Sequence, residues 1–422
     1  MTADDARLSV AEATALILTG AEPLAPEVVP LGAAQHRVLA AAVRAPRDLP
    51  PWRNASMDGY AVRAADLRAA TPGSPRALRV VESIAAGALP TRTIGDGEAA
   101  RIMTGAPLPD GADSVIRIED TDRGTDVVQV RDARDAGMNV RPRGEDLAEG
   151  AVALDAGHEI DAAALGVLAA VGAQLVTVHR RPRVAVLSAG DELVPLADSH
   201  SAVATQRIVD VNSHTIAALA RDAGAEVHVL GLAADDPHAI RTAIEGAAPY
   251  DVLITSGGVS VGDHDHTRAV LRELGADILI HRLRIRPGAP LGFGLLDHAR
   301  WVGLPGNPVS AMVTFELFVR PLLRRLAGHH ALFRGTVPAR TTASIRTAAP
   351  LTHFLRAELT PCNDGIWEAA LTGPQGSGLI TSMVHANALL IVPESQREVE
   401  AGTVLRAMLL GERALHSSTP VA

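Results

Sequence analysis

The sequence predicts a multidomain protein of class α/β plus β, and three observations carry that prediction. Residues 181–328 alternate short apolar runs with helical patterns. That alternation specifies a parallel sheet with right-handed crossovers, a three-layer α/β domain. Residues 46–146 and 329–412 lose the helical period and break into short apolar runs between Gly, Pro and Asp, which marks two β modules. Helical patterns at 1–45 and 147–180 flank the first module. It therefore reads as a β domain inserted into one helical region, and the second as a small C-terminal β-barrel. Residues 413–422 read as a disordered tail.

Each element has a local reason. Ser9 can cap a helix over Val10 to Thr19, with Glu12 three residues on completing a capping box. Pro46, Pro50 and Pro51 end helical structure before the β module, whose clearest strands are Leu78–Val81 and Val127–Val130. Asp161 is placed to cap a helix over Ala162 to Val171. In the α/β region the strands are Val184 to Ser188, Val227 to Leu230, Val252 to Thr255, Ile278 to Ile285 and Trp301-Val302. Between them lie a helix capped by Asn212 or Ser213, one over Pro237 to Ala247 capped by Asp236, one over Asp265 to Leu274, and one over Val309 to Leu326.

Composition narrows the function. The 422 residues have room for about two to four domains. They are 47% hydrophobic but only 2% aromatic, so the core must be aliphatic. A net charge of −9 argues against a general nucleic-acid binder. The 39 basic residues are all arginine, so any phosphate-binding cation has a planar fork and a permanent charge. One cysteine, Cys362, excludes an internal disulfide and a cysteine metal cluster and suits a reducing cytoplasm. The first residues carry Asp4, Asp5 and Glu12 and read as an amphipathic helix, not a signal peptide. No apolar run reaches the roughly 18 residues of a membrane span.

Two glycine-rich loops are the strongest functional signal. Thr255-Ser256-Gly257-Gly258-Val259-Ser260-Val261-Gly262 and Gly303-Leu304-Pro305-Gly306-Asn307-Pro308-Val309-Ser310 each follow an apolar run and lead into a helical pattern. A strand ending in glycines and hydroxyls before a helix cradles anions on backbone N–H groups. Two such loops close in sequence point to one polyanionic ligand at the edge of a parallel sheet.

Charged motifs surround them. Asp58-Gly59 reads as the turn of a hairpin. Arg141-Pro142-Arg143-Gly144-Glu145-Asp146 is either a solvated turn or a phosphate and metal site. Ser188-Ala189-Gly190-Asp191-Glu192 ends the first α/β strand, where ligands bind in open sheets. Asp265 follows the first glycine loop and suits Mg²⁺ shared with ligand phosphates and waters; a plain helix cap is the alternative. Arg282, Arg284 and Arg286 alternate, and on one strand would share a face, either meeting an anion or keeping an exposed edge soluble.

These segments in this order resemble the MoeA-type molybdopterin molybdenumtransferases, which are similar to the C-terminal domain of gephyrin. The matching blocks are Ser56–Ala61, Arg101–Pro107, Arg143–Asp146, Gly190–Leu193, Thr255–Gly262 and Gly303–Ser310. The resemblance implies four domains in an elongated cytoplasmic homodimer. It implies insertion of molybdate into adenylylated molybdopterin with loss of AMP and with Mg²⁺ or a similar divalent ion. It carries over Asp58, Asp146, Glu192 and Asp265 as functional acids with Arg141 beside them, and Asp265 and Glu192 as metal ligands. Cofactor-binding positions are Thr255, Ser256, Gly257, Gly258, Ser260, Gly262, Arg282, Arg286, Gly303, Pro305, Gly306, Asn307 and Ser310. One subunit's Asp58 and Asp146 would face the other's α/β domain. The molybdopterin adenylyltransferase and molybdoenzymes are candidate partners. Two rival expectations are an adenylyltransferase-like enzyme and a non-catalytic molybdopterin-binding scaffold.

The chain departs from the family pattern at two places. Arg286-Pro287-Gly288-Ala289-Pro290 stands where Lys-Pro-Gly-Lys-Pro is typical, so Ala289 deletes a cation. Arginine keeps charge but not shape. Asn54-Ala55-Ser56 stands where Asn-Ser-Ala is usual, which shifts one hydroxyl.

Overall fold

The computed structural model describes residues 7–411 except Ala69, Ala248, 259–265 and Ala349. The chain divides into two compact units: residues 28–35 with 41–176, and the remainder.

In the first unit a five-stranded sheet runs Ser114–Arg117, Gly59–Val62, Glu98–Ile102, Arg76–Ile84, Val127–Val130. Its two faces bury separate aliphatic clusters, one around Ala61, Ile84 and Ile102, the other around Tyr60, Leu67 and Val128. Both strands expected from the sequence here are present, extended at 76–84. Val43–Arg44 pairs antiparallel with Val152–Leu154, so the chain leaves for the β module and returns on adjacent strands. Asp161 caps Ala162–Ala170 by accepting the Ala164 N–H at 2.8 Å. Outside that helix, residues 147–180 contribute short strands, and the described residues up to 45 hold one α-helix of nine residues. The helical region is therefore thinner than the sequence pattern implies. Short Pro- and Gly-bounded segments such as Pro26–Pro30 have no room for a helical turn to propagate.

In the second unit a mixed six-stranded sheet runs Glu226–Ala233, Arg183–Ala189, Val252–Ser256, Arg300–Leu304, Pro290–Leu295, Asp277–Arg282. The first four strands are parallel. The last two pair antiparallel, and the Pro290–Leu295 strand is not foreseen from the sequence. Glycine weakens a strand pattern, but Gly292 is where the Trp301 ring lies against the backbone: a Cβ there would meet Trp301 Cη2 at 2.2 Å. Val184, Ile254, Val302 and Phe293 join Phe315, Phe318 and Leu322 of the long C-terminal helical segment in one core. That segment is α-helical over Pro308–Thr314 and Arg320–Leu326 with a π turn between. Ala13 and Ile17 of Val10–Leu18 enter the same core, and Ser9 and Glu12 form the expected capping box.

The C-terminal strands close into a barrel. Thr352–Thr360 pairs with Trp367–Leu371, which pairs with Thr336–Thr341, then Val404–Leu409, then Ala388–Val392, which returns to Thr352–Thr360. Closure leaves no free edge.

Candidate functional site

In the α/β sheet the strand order reverses at Arg183–Ala189 and Val252–Ser256: the chain runs from the first to an outer neighbour, then back to the inner side. A crevice opens at the carboxyl ends of strands at such a switch point. Ser188 lies beside Ser256, and Thr255 beside Gly303, so the Ser188–Gly190 end and both glycine loops meet there. Gly257 has φ +86 and a Cβ on it would meet the Ala189 carbonyl oxygen at 2.4 Å. Only glycine lets the loop pass this close to the neighbouring strand end. The Gly257 N–H donates to Leu304 O at 3.2 Å.

The described hydroxyl residues of this cradle are turned inward. Thr255, Ser256 and Ser310 are buried. Trp301 Nε1 donates to Thr255 Oγ1 at 2.9 Å, and Asn212 Nδ2 donates to Ser256 Oγ at 2.7 Å. Gly306 and Asn307 are exposed, while Gly303 and Pro305 are buried. Asn307 holds the N-cap position of Pro308–Thr314 without a side-chain cap bond. Gly257 and Gly258 are partly exposed, so among the described residues of the two loops the accessible backbone includes Gly257, Gly258, Gly306 and Asn307. Glu192 is exposed two residues beyond Gly190. Asp191 Oδ1 accepts the Asp235 N–H at 3.0 Å. Ser260, Gly262 and Asp265 lie outside the described residues. Among the described residues no group of three metal-ligating side chains occurs.

The arginine row is broken. Asp277–Arg282 ends in the α/β sheet, and Ile285–Arg286 pairs instead with Thr352–Thr360 of the barrel. The expected single strand is interrupted because Leu283 and Arg284 bond to residues elsewhere: the Leu283 N–H donates to Ala289 O and the Arg284 N–H to Leu8 O. Arg284 is occupied structurally, donating to Arg7 O at 2.8 Å and lying 3.3 Å from Glu394 and 3.6 Å from Glu12. Arg286 is exposed, and Arg282 keeps a buried Nε without a hydrogen-bond partner.

Three sequence blocks converge in the other unit. Asn54–Ala55 pairs antiparallel with Val140–Arg141, placing Asn54 opposite Arg141. It is not the arm of a hairpin through Asp58-Gly59, because Gly59–Val62 pairs with Glu98–Ile102 and Ser114–Arg117 instead. The Ala55 and Gly105 N–H groups bond to Ala106 O and Ala55 O. Asp58 is exposed, and its Oδ1 accepts both the Thr104 N–H and the Thr104 hydroxyl at 2.7 Å. Those two bonds, the backbone one foremost, hold the Asp58 carboxyl below the ordinary aspartate range. Arg141 and Asp146 are both exposed. Their turn is pinned by Asp48, a residue that sequence reasoning missed. Asp48 accepts the Glu149 N–H at 2.8 Å and binds the Arg143 guanidinium, and these bonds depress its own pKa. No local pattern announces it, because its partners lie about a hundred residues away in sequence.

Comparison with known proteins agrees with this anatomy. Residues 8–172 match the MoeA N-terminal region (domains I and II), residues 185–325 a probable molybdopterin binding domain, and residues 338–410 the MoeA C-terminal region (domain IV). The chain is 39% identical over 387 residues to molybdopterin molybdenumtransferase 2 of Mycobacterium tuberculosis, covering 90% of this chain and 94% of that one. It is 37% identical over 385 residues to the molybdopterin molybdenumtransferase of Nostoc sp., covering 89% and 87%. A crystal structure of a molybdopterin biosynthesis MoeA protein from Pyrococcus horikoshii superposes with a TM-score of 0.79 at 31% identity, covering 96% of this chain and 99% of that one. Matched end to end in sequence and in structure, the chain belongs to the MoeA family of molybdopterin molybdenumtransferases and has a role in molybdenum cofactor biosynthesis.

Proposed function

We propose that this chain inserts molybdate into adenylylated molybdopterin with release of AMP. The observation that carries the reading is the glycine cradle at the switch point, where Gly257 packs against Ala189 O inside the segment matched as molybdopterin-binding. The backbone of Gly257, Gly258, Gly306 and Asn307 would hold phosphate oxygens, with Arg286 and Arg282 supplying charge. Bringing molybdate, a dianion, beside a pyrophosphate is an electrostatic problem before it is a proton-transfer problem. A divalent ion such as Mg²⁺ fits the chemistry of the two acids: Glu192 is exposed, Glu192 and Asp265 are both carboxylates with hard oxygens, and Mg²⁺ needs only one or two carboxylates besides phosphates and water. When bound it would neutralise charge on the phosphates. The protein's own part is to orient the ligand and to present Asp58, Asp146 and Arg141.

We further propose a cytoplasmic homodimer, with Asp58, Asp146 and Arg141 of one subunit serving the α/β domain of the other. The domain division that accompanies this is 1–45 with 147–180, 46–146, 181–328 and 329–412. Among the described residues no helix is long and apolar enough to cross a membrane. The deciding experiment is AMP release from adenylylated molybdopterin with and without molybdate, alongside light scattering. Molybdate-dependent AMP release by a dimer is expected. ATP-dependent adenylylation of molybdopterin would move the chain to the adenylyltransferase reading. Binding without any AMP release would make it a scaffold.

A further inference from the structure

The two loops of the cradle are joined by a side chain that no sequence motif singles out as a site. Asn212 opens the Asn212–Asp222 helix and is only 6% exposed. Its Nδ2 donates to Ser256 Oγ at 2.7 Å and to Gly306 O at 2.7 Å. One amide nitrogen thus spans the end of the Val252–Ser256 strand and the turn that follows Arg300–Leu304. Gly306 O can only accept, so the orientation of the amide is fixed. The base of Asn212 is fixed as well. Buried Asp210 accepts the Asn212 and Ser213 N–H groups at 3.0 and 3.2 Å and the Ser188 hydroxyl at 3.2 Å. The ends of three adjacent strands are therefore tied through Asp210 and Asn212.

The remaining atom argues against a purely structural role. Asn212 Oδ1 is buried with no hydrogen-bond partner. A buried acceptor left unpaired is a net cost to folding, and an apolar residue of the same shape would avoid it. We propose that Asn212 is a positioning residue that sets the distance between the two loops and so the fit of the phosphate-bearing ligand. This rests on the reading of the cradle as the adenylylated molybdopterin site.

The test is Asn212→Leu, which keeps volume and removes both donated bonds. The KM for adenylylated molybdopterin should rise about tenfold, the loss two ordinary hydrogen bonds carry, with kcat within about twofold. The melting temperature should fall by only a few degrees, because the loss of the donor to Ser256 Oγ and Gly306 O is partly offset by removal of the orphaned Oδ1. Ser256→Ala, which cuts one end of the tie, should raise KM by a smaller factor. It should add nothing in the Asn212→Leu background. An unchanged KM in folded Asn212→Leu overturns the proposal, as does full additivity of the two substitutions. If Asn212→Leu does not fold, an unchanged KM in Ser256→Ala overturns it alone. A parent protein that binds no adenylylated molybdopterin would instead overturn the assignment of the cradle.

Discussion

The carboxyl end of the α/β sheet and the acid-bearing face of the β unit hold their functional groups by different means. In the sheet the proposed ligand surface is backbone, and the polar side chains around it are buried and bonded to one another: Trp301 to Thr255, Asn212 to Ser256, Ser188 to Asp210. In the β unit the groups are exposed charges held from nearby: Asp58 by Thr104, and the turn carrying Asp146 by Asp48 together with backbone bonds from the Gly144 and Asp146 N–H groups to Pro50 O and Leu49 O. A buried network in low dielectric fixes geometry to the extent that all its members are present. An exposed carboxylate keeps its freedom and is only biased. The first arrangement suits a rigid cradle for one ligand. The second suits charges that meet the ligand from outside.

The difference predicts unequal sensitivity. The largest effect should come from Gly257→Val. A Cβ would meet Ala189 O at 2.4 Å in a backbone with φ +86, so the loop must move away from the strand end. AMP release should fall by at least about tenfold with part of the loss in affinity, since the displaced backbone is the proposed ligand surface. Calorimetric binding showing parent-like affinity would mean that the ligand does not use this loop.

Legibility follows the same division. A strand that ends in glycines before a helix is a contiguous signal, so the strands Val252–Ser256 and Arg300–Leu304 that lead into the two loops are readable from the sequence. So are the caps at Ser9, Asp161 and Asp236, where the capping residue and its N–H lie three residues apart. The cap of Asn212–Asp222 was misplaced. Asp210, Asn212 and Ser213 are all good cappers, and only the fold shows that Asp210 takes the N–H groups while Asn212 reaches across to Ser256. The arginine row was misread because strict alternation implies one strand, whereas Leu283 and Arg284 are drawn off by Ala289 and Leu8. Asp48 was invisible for the same reason: its work is done between residues far apart in the chain.

In the β unit, Asp48→Ala should be the more damaging change. It frees the Glu149 N–H and the Arg143 guanidinium together, so the turn carrying Arg141 and Asp146 loses its side-chain anchor and keeps only the backbone bonds to Pro50 O and Leu49 O. Turnover should drop by about fivefold while the affinity of the cradle for ligand changes little, because one solvent-accessible anchor is lost and the cradle is intact. Equal turnover in parent and variant would mean that Asp48 steadies only itself. Thr104→Val should do less. It removes the hydroxyl bond to Asp58 Oδ1 and keeps the backbone one, so the Asp58 pKa should move part of the way back up toward the ordinary aspartate value. Carboxyl NMR titration reads that shift directly, and an unmoved Asp58 resonance would assign the depression to the Thr104 N–H alone.

The smallest effect on function should come from the opposite end of the α/β sheet, and that contrast sharpens the comparison. Arg180 donates to Asp251 from its two terminal guanidinium nitrogens at 2.7 and 2.6 Å, and the Arg183 N–H donates to the same carboxylate at 2.7 Å. Burial works to raise the Asp251 pKa, but the Arg180 and Arg183 bonds outweigh it and the net shift is downward. A carboxylate with a depressed folded pKa adds stability above its unfolded value of about 4, and that stability is lost as pH falls through the folded pKa. Arg180→Ala should therefore cost about 2 kcal/mol near neutral pH, the scale of a partly buried charge-assisted pair. The gap between variant and parent should narrow below about pH 4, as Asp251 protonates in both. Denaturant titrations at several pH values measure this, and steady-state assays run beside them should return the parent KM, because Asp251 precedes the Val252–Ser256 strand and the cradle follows it. A raised KM in Arg180→Ala would show that the cradle is set by the whole sheet and not by the polar ties at its carboxyl end.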